Sequence, residues 1–139
     1  MDLHAPYELA LAVQAEDIDQ LNHVNNVVYL RWVQEAAIAH WDAVASAEAR
    51  AAYFWVVTRH EIDYRRPALE GDGILARTWV GAQVERAFER HTELLRAGDR
   101  ALLARARTLW RPMDRATGRP AKVISEEIRN AFSTGPQVL

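Results

Sequence analysis

Residues 27–45 constrain this chain more than any other stretch. They are apolar nearly all round, with Arg31, Glu35 and Asp42 confined to one narrow stripe. A helix of this kind has to be covered on most of its sides. The segments after it supply the cover. Residues 53–66 alternate, with Phe54, Val56, Thr58, His60, Ile62 and Tyr64 on one side and Arg59, Glu61, Asp63 and Arg65 on the other, the period of a long half-buried strand. Three more strands are expected at 73–85, 87–97 and 101–113, the last two joined through the turn signal Gly98-Asp99. Residues 7–15 alternate well enough for a first strand, and Ser125-Glu126-Glu127 reads as the capped start of a short last helix. The order is one strand, one long helix, then four strands. An α+β architecture, a curled antiparallel sheet around a central helix, accommodates it, and 139 residues suffice for one such domain spanning 1–139.

Composition removes whole classes of chemistry. The chain has no cysteine, so disulfides, zinc-thiolate sites and thiol nucleophiles are excluded. Seventeen basic and 19 acidic residues leave a net charge of −2, which offers no footprint for nucleic acid. Met1-Asp2-Leu3-His4 carries an acid where a secretion signal carries a cation, and no apolar run reaches spanning length; a cytoplasmic address with no membrane association is expected. His60-Glu61 lacks the second histidine of a zinc-binding helix and the five histidines are scattered, so no metal is expected. There is no Gly-x-Ser-x-Gly elbow, and Gly71-Asp72-Gly73 is a turn rather than a nucleotide loop.

The run from Glu16 to Asn26 packs acids, a histidine and three asparagines against the start of the long helix, with Asn25 or Asn26 as its N-cap. A helix start leaves N–H groups unpaired and carries partial positive charge, so it can hold the oxygen of an activated carbonyl. No acid occupies the first turn, Val27 to Leu30, to take those donors. Asp19, seven residues before Asn26, is close enough for a folded loop to return its carboxylate to the helix end, although an isolated loop aspartate more often closes a turn or caps a helix. His23 reads equally as a loop-ordering imidazole or as an orienting acid–base group near Asp19.

Asp17-x-Asp19 followed by His23-Val24-Asn25-Asn26-x-x-Tyr29 resembles the signature of hotdog-fold thioesterases of the 4-hydroxybenzoyl-CoA thioesterase type and of the related acyl-CoA and plant acyl-ACP enzymes. Asp63-Tyr64-Arg65-Arg66-Pro67-Ala68, Gly71-Asp72, Thr108-Leu109-Trp110 and Thr117-Gly118-Arg119-Pro120 fall where that family has similar segments. The resemblance implies a five-stranded antiparallel sheet wrapped around a long central helix, protomers paired as a homodimer or a dimer of dimers, and active sites at the subunit interface. It implies hydrolysis of an acyl-CoA or acyl-ACP thioester, with no cofactor beyond the carrier that belongs to the substrate. Asp19 then matches the catalytic carboxylate, Asn26 the residue whose N–H polarises the carbonyl, and His23 the histidine of the plant enzymes. Those enzymes also place an asparagine where this chain has Leu21.

A carrier with phosphates needs cations, and Arg65, Arg66 and Arg86 are the candidates, set against the alternative that they pair with Glu61, Asp63, Glu70 or Glu85 at the surface. Arg86 resembles in position a basic CoA contact of the family. The acyl group needs an apolar cleft beside the helix, for which Val28, Trp32 and Trp55 are candidate walls. Two other classes stay open: a hydratase or dehydratase on the same scaffold, and a module that binds acyl thioesters without catalysis.

Overall fold

The structure, a computed structural model, describes residues 6–122. The helix expected at Ser125 lies outside them. Its elements are β1 (Tyr7–Ala12), a single 3₁₀ turn (Ala15–Asp17), α1 (Asn26–Val44), α2 (Ala47–Ala52), β2 (Tyr53–Tyr64), β3 (Gly73–Val84), β4 (Ala87–Arg96) and β5 (Leu102–Asp114). The five strands form one antiparallel sheet in the order β1-β3-β4-β5-β2, so β1 and β2 are its edges. The first strand stops short of residue 15 because the Gln14 N–H turns to the Asp17 carboxylate and closes the 3₁₀ turn. The short helix α2 went unread in the sequence; Ser46 caps it by accepting from the Ala49 N–H at 3.0 Å.

Helix α1 buries Val28, Tyr29, Trp32, Val33, Ala36, Ala37, His40 and Trp41, a recurring pair of neighbours every four residues that makes one broad face. It packs mainly against β3, β1 and β4. The expectation of cover on most sides is therefore corrected: Val27 is 65% exposed and Ile38 56%, because the sheet reaches only one face of the helix and α1 leans away from the β2 edge.

The face assignment within β2 is also corrected. A bulge between Val57 and Arg59 leaves Thr58 without a register partner in β5 and inserts one residue into the alternation. Tyr53 and Trp55 before the bulge and Ile62 after it pack on the helix side, so Phe54 and Val56 do not share a face with Ile62.

The interior is divided. Val28, Tyr29, Trp32, Val33, Leu94 and Leu103 belong to one apolar cluster, and Trp41, Ala45, Ala49, Val80 and Phe88 form another. Between them runs a buried polar belt. Arg90 donates to Thr78 Oγ1 and to His40 Nδ1, both at 3.0 Å, and the Thr78 and Thr92 hydroxyls meet at 3.1 Å. A guanidinium only donates, so His40 Nδ1 carries no proton. Burial lowers the Arg90 pKa to about 9, which still leaves it charged at neutral pH. His60 extends the belt through Thr108 Oγ1 at 3.1 Å.

The opposite face of the sheet carries two rows of ion pairs. One runs Glu8, Arg77, Glu93, Arg105 across four strands at 3.1 to 3.5 Å. The other runs Arg59, Glu61, Arg107, Glu89 and His91, with His91 stacked on Trp79.

Candidate functional site

The loop before α1 is a narrow hairpin. The Asp17 carbonyl accepts from the Asn25 N–H at 2.8 Å, Ile18 bridges Val24, and the Asp19 N–H donates to the His23 carbonyl at 2.8 Å. Asn22, at φ 62°, takes the left-handed corner that asparagine tolerates. The two aspartates of this segment have different roles. Asp17 points inward, 1% exposed, and accepts from the Arg31 guanidinium at 3.0 Å and from the Gln14 N–H at 2.8 Å. Arg31 also reaches Glu35 at 3.4 Å, one turn along the polar stripe of α1. Asp19 lies at the hairpin mouth, where its Oδ1 accepts from the Leu21 N–H at 2.8 Å and the His23 N–H at 3.4 Å. Its carboxylate thus closes the turn and stands beside His23, whose side chain is exposed.

Asn25, not Asn26, is the N-cap, and its Oδ1 accepts from the Val27 N–H at 3.1 Å. The Asn25 and Val28 N–H groups are taken by the Asp17 and Asn25 carbonyls. Among the described residues the Asn26 N–H has no acceptor, so it is the amide at the helix start left to meet an oxygen from outside. Tyr64, read in the sequence as a strand position and as part of a segment that resembles the family but given no role at the site, donates from its hydroxyl to the Asn26 carbonyl at 3.1 Å and meets Tyr29 edge-on. Burial pushes both phenols up, so both stay neutral; Tyr29 accepts from the Ala68 N–H at 2.8 Å. No spacing could have revealed Tyr64, since it meets Asn26 across 38 positions.

Of the expected acyl-pocket walls, Val28 and Trp32 lie in the first apolar cluster, because they fall on the helix face that packs on the sheet. Trp55 lines a cleft of about 540 Å³ with Ile38, Trp41, Phe54, Phe88 and Trp110, where α1 leans away from β2. Arg50 and Arg115 line it too, and neither was singled out by sequence.

The three arginines expected to share the carrier phosphates are not brought together within one chain. Arg65 and Arg66 follow β2 and both donate their backbone N–H groups to the Leu103 carbonyl. Arg86 sits in the turn between β3 and β4, at the other end of the sheet, about 30 Å away along β4. None of the three forms an ion pair among the described residues, so the expected pairing with Glu61, Asp63, Glu70 or Glu85 is not found there. Among the described residues no group of three metal-ligating side chains gathers, and no helix is long and apolar enough to cross a membrane.

The family model of the thioesterase-like superfamily matches residues 13–132. No curated protein matches the chain by sequence. Among solved structures, a thioesterase from Thermus thermophilus, complexed with coenzyme A and zinc, is 25% identical with a TM-score of 0.78, over 92% of this chain and 98% of that one. A 1,4-dihydroxy-2-naphthoyl-CoA thioesterase from Synechocystis shares the fold at 20% identity and a TM-score of 0.79, over 93% and 96% of the two chains. A 12:0-ACP thioesterase from Umbellularia californica does so at 19% and 0.76, over 91% of this chain and 50% of that one. The architecture is the hotdog fold.

Proposed function

Because the chain belongs to the thioesterase-like superfamily, and so is a thioester hydrolase, we propose that it cleaves an acyl-CoA to the free acid and CoA at the start of α1. The observation that carries this reading is the Asn26 N–H, left without an acceptor among the described residues at the positive end of a 19-residue helix. The thioester carbonyl oxygen takes this donor, and the negative charge that develops on it is stabilised by a group already oriented. Asp19 supplies the carboxylate, either attacking the carbonyl carbon to give a mixed anhydride and free thiol, or removing a proton from the attacking water. His23, paired with Asp19 through the hairpin backbone, orients the loop or shares a proton with that carboxylate. The exposed side chains of Leu21, Val27 and Tyr64 around the helix start offer apolar surface to the acyl group. An acyl-ACP is the second reading of the carrier, favoured by the likeness of His23 to the plant enzymes and by the fold shared with the 12:0-ACP thioesterase.

The active form in this reading is a homodimer. The 12-residue β2 is an edge strand bonded only to β5, and α1 leaves Val27 and Ile38 exposed on its outer side. A second copy that pairs along β2 covers both.

The decisive variant is Asp19→Asn. Its side-chain oxygen still accepts from the Leu21 and His23 N–H groups, so the hairpin survives while charge and basicity are lost. Turnover on a panel of aliphatic and aromatic acyl-CoAs, followed by the freed thiol, is expected to fall at least about 100-fold with unchanged folding. Wild-type turnover in the variant removes Asp19 from the mechanism.

A further inference from the structure

Two N–H groups of the hairpin converge on one oxygen of Asp19. The Leu21 N–H donates to Oδ1 at 2.8 Å and the His23 N–H to the same atom at 3.4 Å. Both donors are themselves set by the main chain: the Asn22 N–H meets the Asp19 carbonyl at 3.0 Å, the Asp19 N–H meets the His23 carbonyl at 2.8 Å, and Asn22 turns the corner at φ 62°. Among the described residues Oδ2 of Asp19 has no hydrogen-bond partner, and neither has the ring of His23. Asp17, two residues earlier, has both oxygens committed, Oδ1 to Arg31 and Oδ2 to the Gln14 N–H. A carboxylate turns easily about its last side-chain torsion, so holding one oxygen also fixes the direction of the other.

We propose that the main chain orients Asp19 for the reaction, with the N–H groups of Leu21 and His23 as its positioning donors and Oδ2 as the oxygen presented to the substrate. The proposal rests on the reading that gives Asp19 the chemistry, and it names the atom that performs it. Oδ2 keeps its lone pairs for the thioester carbon or for a proton of the attacking water, while Oδ1 stays bound throughout. The side chains of the two donor residues have no part in holding the carboxylate. That of Leu21, 69% exposed, carries no donor, and the exposed imidazole of His23 makes no hydrogen bond to Asp19. A proton shared between that ring and the carboxylate lacks the contact it needs. Donors fixed in a backbone turn lose no rotamer freedom when they act, so the carboxylate is aimed before the substrate arrives. Leu21, which has no polar group, therefore serves through its N–H at a position where a side-chain amide is dispensable.

Backbone esters in the intact protein test this. Leucic acid at position 21 exchanges the N–H for an ester oxygen and keeps the side chain; proline also lacks the N–H but constrains the turn itself. On the acyl-CoA of the panel that the wild type hydrolyses best, the ester at 21 is expected to lower kcat about tenfold or more with KM within about twofold, the pattern of lost orientation rather than lost binding. The corresponding ester at position 23, across the longer contact, lowers kcat less and in the same pattern. An ester at position 20, whose N–H has no acceptor among the described residues, leaves both constants as in the wild type and controls for the ester bond. Leu21→Ala keeps the N–H and is expected to change KM more than kcat, and His23→Gln to lower kcat less than the ester at 21 does. Melting temperatures of the three ester proteins within a few degrees of one another separate lost aim from lost fold. The inference is overturned if the ester at 21 keeps wild-type kcat, if its loss lies in KM alone, if the ester at 20 loses as much, or if His23→Gln costs more than either donor ester, which returns the orienting role to the imidazole. An inactive Asp19→Asn beside a fully active ester at 21 refutes this inference and leaves the assignment of Asp19 standing. Wild-type turnover in Asp19→Asn, or a wild type that hydrolyses no thioester of the panel, overturns both.

Discussion

The buried carboxylate of Asp17 and the guanidinium of Arg31, 3.0 Å apart, join the hairpin to the second turn of α1. Two positions later Asp19 stands at the hairpin mouth, where its carboxylate accepts from the Leu21 and His23 N–H groups. The first of these acids is buried in an ion pair, the second is the one to which the proposed reading gives the chemistry, and the variants below separate them.

Asp17→Asn leaves Arg31 and the Gln14 N–H facing a weaker acceptor and is expected to cost about 1–3 kcal/mol of stability, measured by urea unfolding. Arg31→Gln costs less, because that side chain is 46% exposed and water replaces part of the contact. Turnover of Asp17→Asn, assayed well below its melting temperature, drops less than about tenfold, far short of the loss in Asp19→Asn. Equal losses in the two aspartate variants contradict this division of roles.

Deleting Thr58 removes the extra residue of the β2 bulge. The strand must then present either Tyr53 and Trp55 or Ile62 and Tyr64 to the wrong face. A destabilisation of about 3 kcal/mol or more is expected, against under about 1 kcal/mol for Thr58→Ala, which keeps the residue count. A deletion variant that melts with the wild type shows the bulge to be dispensable.

Burial lowers the pKa of His60 below the usual 6.5. Between its folded and unfolded values the unfolded chain holds the proton and the folded chain does not, so stability rises with pH across that window. The contribution is complete above about 6.5 and is lost as pH falls toward the folded value. His60→Gln is expected to flatten the difference in unfolding free energy between pH 7.5 and pH 5.5. An identical pH dependence in both proteins assigns the effect to other groups.

Tyr64→Phe removes the hydroxyl that holds the Asn26 carbonyl while keeping the ring against Tyr29. Stability changes by no more than about 1 kcal/mol, as the residue is 43% exposed. Turnover is expected to fall about threefold to tenfold with KM nearly constant, the pattern of a group that positions the helix start. A change confined to KM points to substrate contact instead.

Much of this fold could be read from periodicity. The long helix and the run of strands after it announce themselves because burial of one face imposes a period of 3.6 or 2 on the residues that line it. The parity switch at Thr58 could not be read, since residues 53–57 are apolar without interruption and a bulge leaves no mark in such a run. At the site, the hairpin and the helix start were legible as a local cluster of polar residues. What separates Asp17 from Asp19 was not, because it depends on Arg31, 14 positions away. Arg50 and Arg115 are further apart still, at 65 positions, and only the antiparallel pairing of β2 with β5 makes them neighbours.

The polar belt of Arg90, His40, Thr78 and Thr92 has a dynamic consequence. It separates the apolar cluster under the hairpin from the one behind the cleft, so cooperativity between the two halves of the interior passes through hydrogen bonds rather than through continuous apolar contact. The smaller half, with Trp41, Val80 and Phe88, is expected to open locally without exposing Trp32 or Leu94. Hydrogen exchange is expected to show amides around the cleft exchanging by local opening and those beneath Asp19 and Asn26 only on global unfolding. In the proposed reading, motion at the cleft then leaves the geometry of the helix start at Asn26 undisturbed.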